Sequence, residues 1–248
     1  MPALQFALEF AATLTTAIFA GASLYISLVE HPARMECGTA VAAAEFGPSY
    51  RRATIMQASL AICAFLAAAS AWWLTSRPIW LVGGFLVGAV VPFTLIAILP
   101  TNRKLLDRAV DNASDSTHRL LTKWGRLHAV RTGLSLIALI VLLLATAFAA
   151  QDRALEDREA QLRQDLFTLR DTIQQYTLDK QKTPQTLDDL KQAGYIREIP
   201  VDPITGNADW TLRIEDKPNA IDPDNLGIWD VHSSSSLVGR DGTVYSTW

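Results

Sequence analysis

The fold class predicted is an α-helical membrane bundle of four transmembrane helices followed by an α+β domain, and three observations predict it. Residues 124–182 read as one uninterrupted helix, with no Pro or Gly after Gly133. Its first half, LSLIALIVLLLATAFAA, is apolar all round, whereas its second half carries Leu162, Leu166, Leu169, Ile173 and Tyr176 as a one-face stripe. Three more apolar runs of spanning length precede it. Charge divides the same way: of a net charge of −3, residues 1–150 carry 11 Lys+Arg against 7 Asp+Glu, and residues 151–248 carry 11 against 18.

In order, residues 4–28 form the first span, apolar except for Glu9 and a few hydroxyl residues. No Lys or Arg precedes the run and it is long for a signal peptide, so it reads as retained. Glu9 lies near one end of the span, close enough to snorkel outward. Residues 53–74 and 78–99 are the second and third spans, and residues 133–149 the core of the fourth. The first and third loops carry nine Lys and Arg, among them Arg34, Arg51, Arg52 and Arg108, against five on the opposite side. That bias places both termini of an inner-membrane protein in the periplasm. Cys37 and Cys63, one in a loop and one in an apolar segment, do not suggest a disulfide.

This topology brings polar residues to one membrane face. They are Glu30, His31 and Arg34 of VEHPAR, Arg51 and Arg52, Asn102 of LPTNRKL, and Trp124, His128 and Arg131 of WGRLHAVR. The last three are spaced i, i+4, i+7 and share a helical face. Two readings of the cluster stand: interfacial anchoring by Arg, His and Trp, with Glu30 paired to Arg34, or a pocket with chemistry.

GASLYISLVEHPAR, EFGPSYRR, PTNRKL and WGRLHAVRTGLSLIA, in that order on four spans, resemble the bacterial branch of a small integral-membrane family that includes the fungal anthrone oxygenases. The resemblance implies a cofactor-independent insertion of oxygen into a planar anthrone, giving a quinone. That chemistry needs a base for an acidic C–H and a cation for the enolate. His31 or His128 would be the base, Arg131 or Arg34 the cation, and Trp124 a stacking surface, with Glu30 and Asn102 in the same set.

Beyond the spans, the striped helix needs a cover, because an isolated amphipathic helix is marginal in water. TLDDLKQAGYI reads as a short helix closed by Gly194, REIPVDPITG as a turn-rich connector, and ADWTLRIE, NLGIWDVHS and DGTVYSTW as strands. A long helix packed on a small antiparallel sheet results. LRQDLFTLRDTIQQYTLDK, LDDLKQAGYIREIPVDPITG, GIWDVHS and DGTVYSTW resemble the soluble part of the major, G-type pseudopilins of type II secretion. The resemblance implies a periplasmic pseudopilin-like domain and a calcium ion in the last loop, for which Asp230 and Asp241 are the available metal ligands. A hydroxyl-rich hairpin turning at Asp241-Gly242 accounts for the same residues without an ion. Ala138 stands where a pilin helix carries its registering Glu.

No phosphate loop, zinc-spaced Cys/His set, nucleophile elbow or long basic patch is present, which removes nucleic acid from the partners. The chain therefore reads as membrane protein 1–150 displaying a binding or assembly domain 151–248 to secretion-system or other envelope proteins, with membrane lipid as its solvent and no cofactor required. The alternative is a membrane-embedded oxygenase or related oxidoreductase acting on a small planar apolar substrate.

Overall fold

The computed structural model describes residues 2–107 and 111–248, so Arg108 lies outside the described residues. The chain divides into two compact units, Met1–Ala149 and Ala150–Trp248.

The first unit contains α1 (Pro2–Tyr25), α2 (His31–Glu36), α3 (Thr39–Thr75), α4 (Pro78–Phe93), α5 (Leu99–Leu105) and the opening part of α6 (Asp115–Lys180). Four helical stretches, Ala3–Glu36, Thr39–Thr75, Pro78–Leu105 and Asp115–Lys180, are long and apolar enough to cross a membrane. Each runs past the expected span, because the segments between them are themselves helical: Arg51 and Arg52 sit exposed well inside α3. Small residues set the closeness of the bundle. A Cβ at Gly84 would stand 3.0 Å from the Ala68 Cβ, and one at Gly88 3.0 Å from the Phe65 ring. Such contacts suit a solvent in which apolar burial drives no association and packing must do so. Glu9 does not reach outward as expected. It is 1% exposed, and its Oε1 accepts from Gln5 Nε2 at 2.9 Å.

The second unit packs the C-terminal part of α6 against α7 (Leu187–Gln192) and β2 (Ile228–His232), with β1 (Thr211–Ile214) paired to β2. The expected stripe is the buried face, and Leu187, Leu190, Trp210, Ile228, Val231 and Tyr245 cover it. Thr186 and Asp189 form a capping box at the start of α7, satisfying donors that a helix leaves unpaired. Gly194 follows the helix at φ +80°, where a Cβ would be strained.

The sheet is smaller than expected. β1 and β2 are antiparallel neighbours, while the DGTVYSTW segment contributes an isolated bridge, Val238 to Val244, and a 3₁₀ turn, Tyr245–Thr247, in place of a strand. β1 is exposed along its whole length, so β2 alone faces the core. Its inward residues, Ile228 and Val231, are three apart. A bulge reconciles that spacing with the pleat: Arg213 pairs with Asp230 and Ile214 with Ile228, leaving Trp229 as the extra residue.

Candidate functional site

Proline shapes the site before any polar residue does. Pro32 and Pro100 lack the N–H a helix needs and crowd the carbonyl four residues back. In both places the preceding turn widens: His31 N–H bonds to Ile26 O, and Leu99 N–H to Thr94 O, each five residues apart. One extra residue in a turn rotates everything beyond it by about 100°. Both widened turns, Ile26–Glu30 and Thr94–Ile98, line the same cavity.

The cavity has a volume of about 160 Å³ and lies inside the first unit. Phe19, Ile26, Phe46, Val90 and Ile98 supply apolar wall, and Glu30, Arg34, Asn102, Trp124, His128 and Arg131 supply polar wall. The cluster foreseen at one membrane face is thus largely assembled. His31 is placed differently: it packs behind Trp124, with ring centroids 5.1 Å apart, and occupies the space where a Cβ of Gly125 would stand. Arg51 and Arg52 are not in the wall. Trp124, expected to stack on a substrate, stacks on His128 at 4.8 Å and 26°, with Phe46 edge-on at 5.3 Å.

The charges on the wall are unequal in their partners. Arg34 is paired with Glu30, and its Nε lies 2.9 Å from Glu45 Oε2; Ser49 Oγ donates to Glu30 Oε1 at 2.7 Å. Arg131 has no carboxylate within 4 Å among the described residues. Its Nη2 donates to Gln57 Oε1, and its guanidinium lies 5.0 Å from the Phe19 ring centre. Around it Arg131 Nε, Gln57 Nε2 and both side-chain polar atoms of Asn102 are buried without hydrogen-bond partners. Buried donors left this way are costly unless something accepts from them.

A hydroxyl chain determines the tautomer of His128. Thr132 Oγ1 donates to a carbonyl, with Ser23 O at 3.1 Å and His128 O at 3.0 Å in reach. Its single proton is then committed, so in the 2.8 Å contact with Ser27 the donor is Ser27. Ser27 Oγ in turn accepts from His128 Nδ1 at 3.0 Å. His128 therefore carries its proton on Nδ1, and Nε2 keeps a lone pair. It is a base in the geometric sense, held by a ring stack and a hydrogen bond.

Sequence reasoning passed over Gln57 and Ser27. Gln57 left a signal, as the one amide in the apolar run ATIMQASLAICAF. Ser27 left none, since a helical serine readily satisfies itself on its own backbone.

In the second unit, the two expected metal ligands each have protein partners. Asp230 Oδ1 accepts from Arg170 Nε at 2.7 Å and Val231 N at 2.8 Å, and its Oδ2 lies 3.0 Å from His232 Nε2. Asp241 Oδ1 accepts from the Thr243 hydroxyl at 2.7 Å and its N–H at 2.9 Å, which holds the carboxyl below its ordinary range. Among the described residues no group of three or more His, Cys, Asp or Glu is arranged to hold a metal ion. Cys37 and Cys63 are free thiols.

No curated protein and no solved structure matches the chain. The likeness of the second unit to pseudopilins and a role in type II secretion find no support in these comparisons. The first unit does match a family model: residues 46–141, which contain Asn102, Trp124, His128 and Arg131 as well as Gln57, match the model described as Anthrone oxygenase.

Proposed function

We propose that the first unit is a membrane-embedded oxygenase or related oxidoreductase for a planar, weakly acidic aromatic substrate. One observation carries the reading: a histidine held as an Nε2 base and a buried arginine without a carboxylate partner among the described residues line one mostly apolar cavity. In the reaction named by the matched family, His128 Nε2 takes the acidic C–H proton of an anthrone. Arg131, with the amides of Gln57 and Asn102, holds the resulting enolate oxygen. Dioxygen then accepts electrons from the carbanion and bonds to that carbon; loss of one water from the peroxide leaves the quinone, so one oxygen atom enters the product and the other leaves as water. Glu30 and Arg34 form the polar rim, and His31 with Trp124 positions the base. The second unit is an appendage in this reading.

The test is oxygen uptake together with quinone absorbance, measured on the full chain in detergent with hydroxyaromatic and ketoaromatic compounds of one to three rings. His128→Ala and Arg131→Gln should each lower turnover by about 10²-fold or more, with membrane insertion unchanged. Wild-type rates in both variants, or no turnover of any member of the series, would overturn the proposal.

A further inference from the structure

We infer that the occupant of this cavity is a one-ring phenol or quinol bearing an alkyl tail, its ring inside the bundle and its tail leaving sideways into lipid. The inference rests on the reading above and narrows its substrate class; with such a substrate the proton that His128 Nε2 takes is the ring O–H rather than a C–H.

Size comes first. The cavity, at about 160 Å³, is close to the ~150 Å³ apolar cavity known to hold one benzene. One ring fits inside it, whereas a fused tricycle, with more than twice the atoms, fits only with part of itself in the side opening.

The wall also has a side opening. Thr54 and Ala58 on α3, and Val91 and Leu95 across from them, line the cavity and are exposed on the outside of the unit. Leu95 is 57% exposed, within a stretch apolar enough to cross a membrane. An opening framed by such residues faces acyl chains. Further along the same helices the gap closes, where Gly84 meets Ala68. A tail therefore leaves laterally.

Charge selects the head group. A phenol oxygen, neutral in lipid and ionised beside a cation, accepts from Arg131 Nε, Gln57 Nε2 and Asn102 Nδ2, donor atoms that are otherwise unpartnered.

The experiment is equilibrium binding to the full chain in phosphatidylcholine nanodiscs without oxygen, corrected for partition into empty discs. The probes are a decyl-substituted hydroquinone, the same ring without its tail, anthrone and phosphatidic acid. The tailed hydroquinone should bind saturably, one per chain, and more tightly than anthrone. Ala58→Trp should weaken the tailed compound about tenfold more than the tailless one. Leu95→Trp blocks the opening from the opposite side and should do the same. Equal losses for both compounds in both variants, or tighter binding of anthrone, would overturn the one-ring assignment while leaving the oxygenase reading in place. Saturable binding of phosphatidic acid and of no phenol or anthrone would overturn both.

Discussion

Replacing Arg131 with Met separates a cation kept for a ligand from one kept for the fold. The guanidinium is inside the bundle with one amide and one aromatic face as its partners. Its removal relieves a desolvation penalty of several kcal/mol. It also forfeits a charged hydrogen bond of about 1.5–3 kcal/mol and a cation–π contact of about 2 kcal/mol. These terms oppose each other, so stability should stay within about 2 kcal/mol of wild type. Turnover has no such compensation and should fall by about 10²–10³-fold. Adding Gln57→Leu removes the amide that Arg131→Met leaves unpaired, and the double variant should be at least as stable as the single one. Thermal unfolding by tryptophan fluorescence and oxygen uptake, on the same detergent preparation, read the two effects separately. A loss of about 3–5 kcal/mol in Arg131→Met, unrelieved by Gln57→Leu, would show that the arginine holds the bundle together and would refute the reasoning.

Ser27→Ala removes the group that accepts from His128 Nδ1 and should lower turnover by up to about 10²-fold; Ser27→Thr, which restores a hydroxyl, should recover part of it, and equal activity in all three proteins would count against the tautomer argument. Leu169→Ala empties a fully buried position in the second unit and should cost about 2.7–5 kcal/mol, read as faster proteolysis of that unit and an earlier urea transition. Burial, reinforced by donation to Glu159 Oε1 at 2.9 Å, pushes the Tyr245 hydroxyl up to about 12 from an ordinary 10. Its contribution to the second unit is therefore fully present below pH 10 and disappears as pH rises through about 12, a loss that Tyr245→Phe should abolish in alkaline unfolding curves.

Much of the site was legible in the sequence for a topological reason. Four spans of alternating direction bring helix ends to a common face, and Glu30, Arg34, Asn102, Trp124, His128 and Arg131 line one cavity as that argument requires. The roles within the cluster were not legible. Trp124 lines the cavity and also stacks on His128, a contact that its spacing did not reveal. His31 and His128 were interchangeable on paper, and only His128 lines the cavity. In the second unit the amphipathic stripe was read residue by residue, yet the third strand was not formed and β1 lies outside the core. Alternation predicts a strand, and a two-stranded ribbon with a bulge satisfies the same residues.

What the chain determines by itself is local: four runs apolar enough to cross a membrane, a one-face stripe at helical period, a capping box at Thr186 and a reversal of net charge between the two parts. Each follows from neighbours a few residues apart. The tertiary structure alone decides the cavity, the state of His128 and the isolation of Arg131. These depend on partners 101 residues away in Ser27 and 74 residues away in Gln57, and on two helices rephased by widened turns. A hydrogen bond is made or left unmade by distance in space, and periodicity along one helix carries no record of that.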